Sequence, residues 1–178
     1  MKKLNYFFIF LFFMFALIFF LPHKNLLFLS ESLLSKNQIN ISQELINKKL
    51  FGLEIINSEI SYDGVKAGNI NNITLNVLGI YNKLTINEAI IDTKSFNSIP
   101  KNIKLFEASY TLFSPNTIEF YSESDLGIMK GYINLINQKL ILEFHPSKEA
   151  TTHYGTILKF FKVQQEGLYT YEKNIKLY

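Results

Sequence analysis

Three His and 15 acidic side chains are the groups in this 178-residue chain that could bind a metal or move a proton. Glu143 and His145 stand two apart, so in a strand they share a face. His153 follows eight residues after His145. A catalytic zinc takes three protein ligands, and these three nominally supply them. No H-E-x-x-H or comparable spacing supports that use, so surface and strand-end roles fit better. His23 falls at the end of an apolar run and suits a membrane boundary. With no Cys there is no disulfide, no thiolate metal site and no thiol nucleophile. The chain has no G-x-S-x-G elbow, no Walker A loop and no G-x-G-x-x-G. Asp63, Asp92 and Asp125 all fall at turn positions, where Asp serves the backbone. Gly127 and Gly131 fit G-x-x-x-G, but within a hairpin pattern, where glycine permits bends or close backbone approach. These residues point to a non-enzymatic protein with no cofactor and no metal.

Charge argues against nucleic acid. All 18 basic residues are Lys, and the formal net charge is +3. Lys2, Lys3 and Lys24 account for that excess, because the remaining 15 Lys match the 15 acids. The rest of the chain, residues 25–178, is therefore neutral. It has no Arg, no Trp and no basic field to track a phosphate backbone.

Tyr6 to Leu21 is an unbroken apolar run holding eight of the 17 Phe. With Leu4 and Asn5 it spans about 27 Å as a helix, close to the hydrocarbon core of a bilayer. Tyr6, Phe10, Phe13, Leu17 and Leu21 are its anchor residues, making the bilayer the first expected partner. Lys2 and Lys3 keep the N-terminus cytoplasmic, placing the rest in the periplasm across an inner membrane. A cleaved signal peptide is the competing reading. Its apolar core would be shorter, and FFLPHK lacks an A-x-A cleavage pattern.

The chain divides into an anchor at 1–24, a helical lead at 25–50 and a β-rich domain at 51–178. Leu26, Leu27, Leu29, Leu33 and Leu34 recur at helical spacing. Ser42 is placed to cap a second short helix, with Glu44 in its first turn and Leu45, Ile46 and Leu50 on one stripe. Gly52 marks its expected end. Beyond Phe51 the period approaches two. Leu53 and Ile55, then Ser58, Ile60 and Tyr62, predict a long, bulged strand. Asp63-Gly64, Gly79–Lys83 and Pro115-Asn116 are turn signals, and Pro100 separates two strands. Phe106, Ala108, Tyr110 and Leu112 share a face. GIMKGYINL and LILEF, joined at Ile136–Lys139, form the clearest hairpin. Ser147 caps a late helix striped by Tyr154, Ile157, Leu158 and Phe161, and 167–178 predicts a last strand. The fold class is mainly β. It comprises a transmembrane helix, a helical lead, and about seven strands in an antiparallel sheet, sandwich or open β-groove with one late helix.

The apolar strand positions are the second candidate site. Ile73, Leu75, Val77, Leu84 and Ile86 come from the first half of the domain. Ile133, Leu135, Leu140, Leu142 and Phe144 come from the hairpin. Ordinary core packing is the default use of such residues. An apolar groove for a lipid ligand is the sharper one, because a sheet short of helices must close, pair or bind something apolar.

Residues 124–147, SDLGIMKGYINLINQKLILEFHPS, resemble the late repeat unit of type II secretion system protein N and AsmA-like envelope proteins. LEIINSEISYDG at 53–64 followed by INNITLNV at 70–77 looks like the opening strand pair of those proteins. The order of anchor, helical lead and β domain is similar too. The resemblance implies a non-enzymatic accessory of a Gram-negative envelope machine with an envelope protein partner. The lipopolysaccharide-transport component LptC shares the architecture without a local motif, and implies a lipid-binding transport module. The orientation has a direct test. An alkaline phosphatase fusion after Leu34 is expected to be active, and an inactive periplasmic reporter would overturn the topology.

Overall fold

The computed structural model describes residues 13, 32, 34–42, 45–92, 100–153, 155–165 and 167–175. Phe13 is helical and 57% exposed. Tyr6, Phe10, Leu17 and Leu21 lie outside the described residues, as does nearly all of the expected anchor. Among the described residues no helix is long and apolar enough to cross a membrane.

The chain forms strands β1 (Ile39–Ser42), β2 (Leu45–Lys49), β3 (Gly52–Tyr62), β4 (Val65–Val77), β5 (Tyr81–Ile91) and β6 (Asn102–Thr111). Then follow β7 (Thr117–Ser124), β8 (Gly127–Asn134) and β9 (Lys139–Pro146), short helices α1 (Lys148–His153) and α2 (Gly155–Leu158), and β10 (Lys162–Gln165) and β11 (Leu168–Asn174). All the described strands join one antiparallel sheet of eleven strands, ordered β1-β3-β4-β5-β6-β7-β8-β9-β11-β10, with β2 also on β3. Neighbours in sequence are mostly neighbours in space, as hairpin turns require. The arrangement is therefore an open sheet and not a two-sheet sandwich among the described residues.

Two expectations need correction. Where a capped helix is predicted from Ser42 to Leu50, Ser42 instead ends β1 and Leu45–Lys49 form β2. Ile46 and Asn47 favour a helix weakly, and the edge of β3 offers a ladder of backbone partners. Pairing overrides the local capping signal. Gly52 accordingly starts a strand and does not end a helix. The seven strands expected up to Phe144 and the last one expected at 167–178 are β3–β9 and β11, and the short pieces β1, β2 and β10, of four or five residues, bring the count to eleven. The late helix is also shorter than its stripe predicted. Ser147 does cap it, its Oγ accepting from the Ala150 amide at 3.1 Å.

The sheet keeps its apolar residues on one face by a coordinated step. Along a strand the inward residues recur every two positions. Between Ile55 and Ser58 in β3 the step is three, and so it is between Ile70 and Ile73 in β4. The same step separates Ile86 from Ala89 in β5 and Ile103 from Phe106 in β6. Asn57 and Glu88 take left-handed backbone angles there, φ 56° and 54°. Paired register jumps from Ile56↔Asn72 to Ser58↔Ile70, and from Asn72↔Asn87 to Ile70↔Ala89. Both partners skip together, so the register itself is kept. The line ends at β7, where the pairing shifts by one residue between Ile103 and Leu105. At the opposite edge the changeover from β2 to β1 falls at the same level, beside Asn57 and Ser58.

Two apolar clusters result. Leu53, Ile55, Ile70, Ile73 and Ala89 are buried in the first, with Leu75, Leu84 and Ile86 packed against them. Full burial of one such aliphatic side chain is worth about 2 kcal/mol. Leu126, Phe144 and Ala150 form the second, covered by Leu158 of α2 and by Phe161 beyond its end. The Phe144 and Phe161 rings sit 5.3 Å apart, and Phe161 and Tyr171 sit 5.6 Å apart.

Ser58 stands at the step itself. It is 2% exposed, and its Oγ has no hydrogen-bond partner among the described residues. A buried hydroxyl without a partner costs about 1–3 kcal/mol. Ser58→Ala is therefore expected to stabilise the protein by about 1 kcal/mol in urea denaturation. A loss of stability would show that the hydroxyl supports the fold.

Candidate functional site

The cross-strand registers assemble the predicted apolar residues into rows. Ile73 faces Ile86, Ile86 faces Phe106, and the row runs on through Ser122 and Met129 to Phe144. Leu75 faces Leu84, followed by Ala108, Phe120, Gly131 and Leu142. Val77 opens a third row that reaches Ile133 and Leu140 through Asn82, Tyr110 and Ile118. Leu135 lies just past β8, its amide donating to the Asn116 carbonyl at 2.8 Å. All of the candidates but Leu135 thus share one face, although they come from distant parts of the sequence.

Burial varies along the rows. Ile73 and Phe144 are buried within the two clusters. Between them Phe106, Ala108, Tyr110, Ile118 and Phe120 are half-buried, and they complete the face. Phe106, Ala108 and Tyr110 were legible in the sequence as one strand face. Phe120, Met129 and Gly131 were missed as row members, because strand order is needed to place them.

Gly131 fills a packing role. A Cβ there would run into the Ile141 carbonyl and approach Leu142 Cδ2 and Phe120 Cε2 to 2.9 Å. Gly127 has φ 122°, and a side chain there would meet the backbone of His145 and Ser147. Both glycines of G-x-x-x-G therefore serve close backbone approach between β8 and β9.

The opposite face is polar and laced with cross-strand ion pairs. Lys83 meets Glu107 at 2.7 Å, Lys104 meets Glu123 at 2.7 Å and Lys139 meets Glu172 at 2.6 Å. Lys66 pairs with Glu59, and Lys49 with Glu54 at 3.3 Å. Exposed pairs of this kind are worth about 1 kcal/mol or less each. They do balance the charge of the sheet locally. Lys104 is held above its ordinary pKa by the hydrogen bond to Glu123 and that carboxylate's charge.

A pocket of about 400 Å³ lies on this face over β5–β9. Its walls carry Tyr81, Tyr121 and Tyr132 together with Lys130, Glu119 and Glu143. Lys130 Nζ stands 5.9 Å from the centre of the Tyr121 ring. The Lys83–Glu107 pair and Ser109 close one side.

Glu143 and His145 are exposed on β9, and the side chain of His153 is outside the described positions. Among the described residues no group of three His, Asp or Glu could hold a metal ion. Asp63 sits in a turn with φ 51°, and Asp125 Oδ2 accepts from the backbone amide of Asn102 at 2.9 Å. The Asp125 carboxylate thus serves the backbone, as turn Asp residues commonly do. Compared with family models, curated proteins and solved structures, the chain has no match in any of the three.

Glu54 offers a titration test of the polar face. Its carboxylate accepts from Asn72 Nδ2 at 2.8 Å and pairs with Lys49, and these contacts hold its pKa below the ordinary 4.5. A lowered folded-state pKa means stability that is present above pH 4.5 and lost as pH falls through the folded value. Glu54→Gln should therefore lower the melting midpoint at neutral pH, and the gap should close on acidification. A gap independent of pH would refute the assignment.

Proposed function

We propose that this chain is a membrane-anchored, non-enzymatic protein of a Gram-negative envelope, with its sheet in the periplasm and its apolar face receiving the acyl chains of lipid. The observation that carries the reading is the set of three apolar rows crossing a single open sheet. Their central residues are half-buried between the two clusters. A sheet face of this kind has apolar area to remove from water, and acyl chains supply a matching surface. The anchor expected at residues 6–21 supports the same reading, because it would hold the face close to a source of lipid. The resemblances to AsmA-like proteins and to LptC point toward the same compartment.

A second reading assigns the chain to an envelope machine as an accessory that docks a protein partner. The edge strand β10 favours it. It is four residues long and ends the sheet, and its Val163 is 65% exposed. Free strand edges accept an added strand through main-chain hydrogen bonds. Lipid handling remains the leading proposal because the rows engage far more of the sequence than that edge does.

Photo-cross-linking separates the two. The full chain carries p-benzoylphenylalanine in place of Tyr110 or Ile133 on the apolar face, or of Tyr132 on the polar face. Irradiation in native membranes should give lipid adducts, read by mass spectrometry, at 110 and 133 and none at 132. Adducts with protein alone at all three positions would sink the lipid reading.

A further inference from the structure

We infer that the tyrosine-walled pocket on the polar face is a binding site for a neutral oligosaccharide. The inference is independent of the lipid reading, because it concerns the opposite face of the sheet.

The geometry sets the ligand's shape. The wall residues come from β5 (Lys83), β6 (Glu107), β7 (Tyr121), β8 (Lys130) and β9 (Glu143). Five neighbouring strands at about 4.8 Å spacing make a site about 19 Å across. That is the reach of several linked pyranose rings and too long for one. Tyr121 faces Lys130 across the β7–β8 ladder, and Tyr132 faces Glu119. The two rings are therefore diagonal neighbours on one face. Tyr81 lies three strands from Tyr132, and both are well exposed, at 41% and 38%.

The chemistry sets its class. Tyrosine rings offer a flat apolar surface with a polar tip, which suits the C–H face of a sugar beside its hydroxyls. Glu119 and Glu143 supply acceptors, Lys130 supplies donors, and Ser109 and the phenols supply both. Vicinal sugar hydroxyls also donate and accept, so each can be matched from one side or the other. Other ligands match less well. An anion meets three carboxylates and two lysines, one of them already paired with Glu107. A cation meets Lys130 standing against the Tyr121 ring. An acyl chain meets charged side chains on every wall strand. A neutral, hydroxyl-rich chain can hydrogen-bond to the carboxylates, the ammonium groups and the phenols alike, and brings no charge of its own to be paired.

Saturation-transfer NMR on the full chain in phosphatidylcholine nanodiscs tests the site, with chitotetraose, maltotetraose and a tetralysine peptide as probes. At least one glycan should take up saturation through its ring C–H protons. Tyr132→Ala should weaken that binding about tenfold, the effect of losing one stacked ring with its polar contacts. Glu143→Gln should weaken it as well. Both side chains are exposed, and circular dichroism will show whether the sheet is intact. The proposal is overturned if neither glycan binds, if tetralysine alone binds, or if glycan binding survives both substitutions unchanged.

Discussion

The constraint that organises this molecule is the strict two-residue period of a pleated strand. A one-residue slip turns every later side chain to the other face of the sheet. Yet β3, β4, β5 and β6 each contain such a slip in the middle of their apolar pattern. They remain consistent because the slips lie side by side. Each strand spends one residue on the change, near Asn57 in β3 and Glu88 in β5, and its neighbour does the same. An isolated extra residue would have to be tolerated by a partner without one. Along this line that happens at β7, and elsewhere at the Ile60–Ser61 end of the β3–β4 pair and between β10 and β11. The first apolar cluster depends on this agreement, because Leu53 and Ile55 lie on one side of the line, and Ile70 and Ala89 on the other. Strain is accepted for it as well. Asn tolerates a left-handed backbone more readily than Glu does, and Asn71 Nδ2 donates to Glu88 Oε2 at 2.7 Å across the line.

Much of this was visible in the sequence, for a physical reason. The irregular spacing from Ile55 to Ser58 already marked β3 as bulged, since apolar spacing records which way a side chain points. The Ile136–Lys139 turn and its flanking strands are formed as expected, with Asn134 Oδ1 accepting from the amides of Ile136 and Asn137. The failures are equally physical. The segment from Ser42 to Leu50 carries honest local helix signals, but its fate was decided by the edge of β3, which no local window contains. The groove candidates could be named strand by strand. Their union into rows needed the order of the sheet. The tyrosine pocket was not legible at all, because Tyr81 and Tyr132 are far apart in sequence and no motif joins them.

The two faces divide the labour of the chain cleanly. One collects Ile, Leu and Phe in rows, and the other pairs Lys with Glu between neighbouring strands. The ion pairs contribute little to stability one by one. Their arrangement matters more, because like charges placed opposite would oppose the registers that the apolar rows need. Charge balance is thus a local property of the ladder as well as a sum over residues 25–178.

The line of coordinated slips has a consequence for motion. It crosses four long strands at one level, and at the first edge it coincides with the changeover between β1 and β2. Each crossed strand is therefore two ladders in series and not one. Proteins open locally in contiguous cooperative units. Opening of the upper segment, with β1 and the Asp63–Gly64 turn, would have to part Ile70 and Ala89 from Leu53 and Ile55 along this line. Amide hydrogen exchange would map that boundary across the sheet, perpendicular to the strands and cutting through every hairpin from β3 to β6.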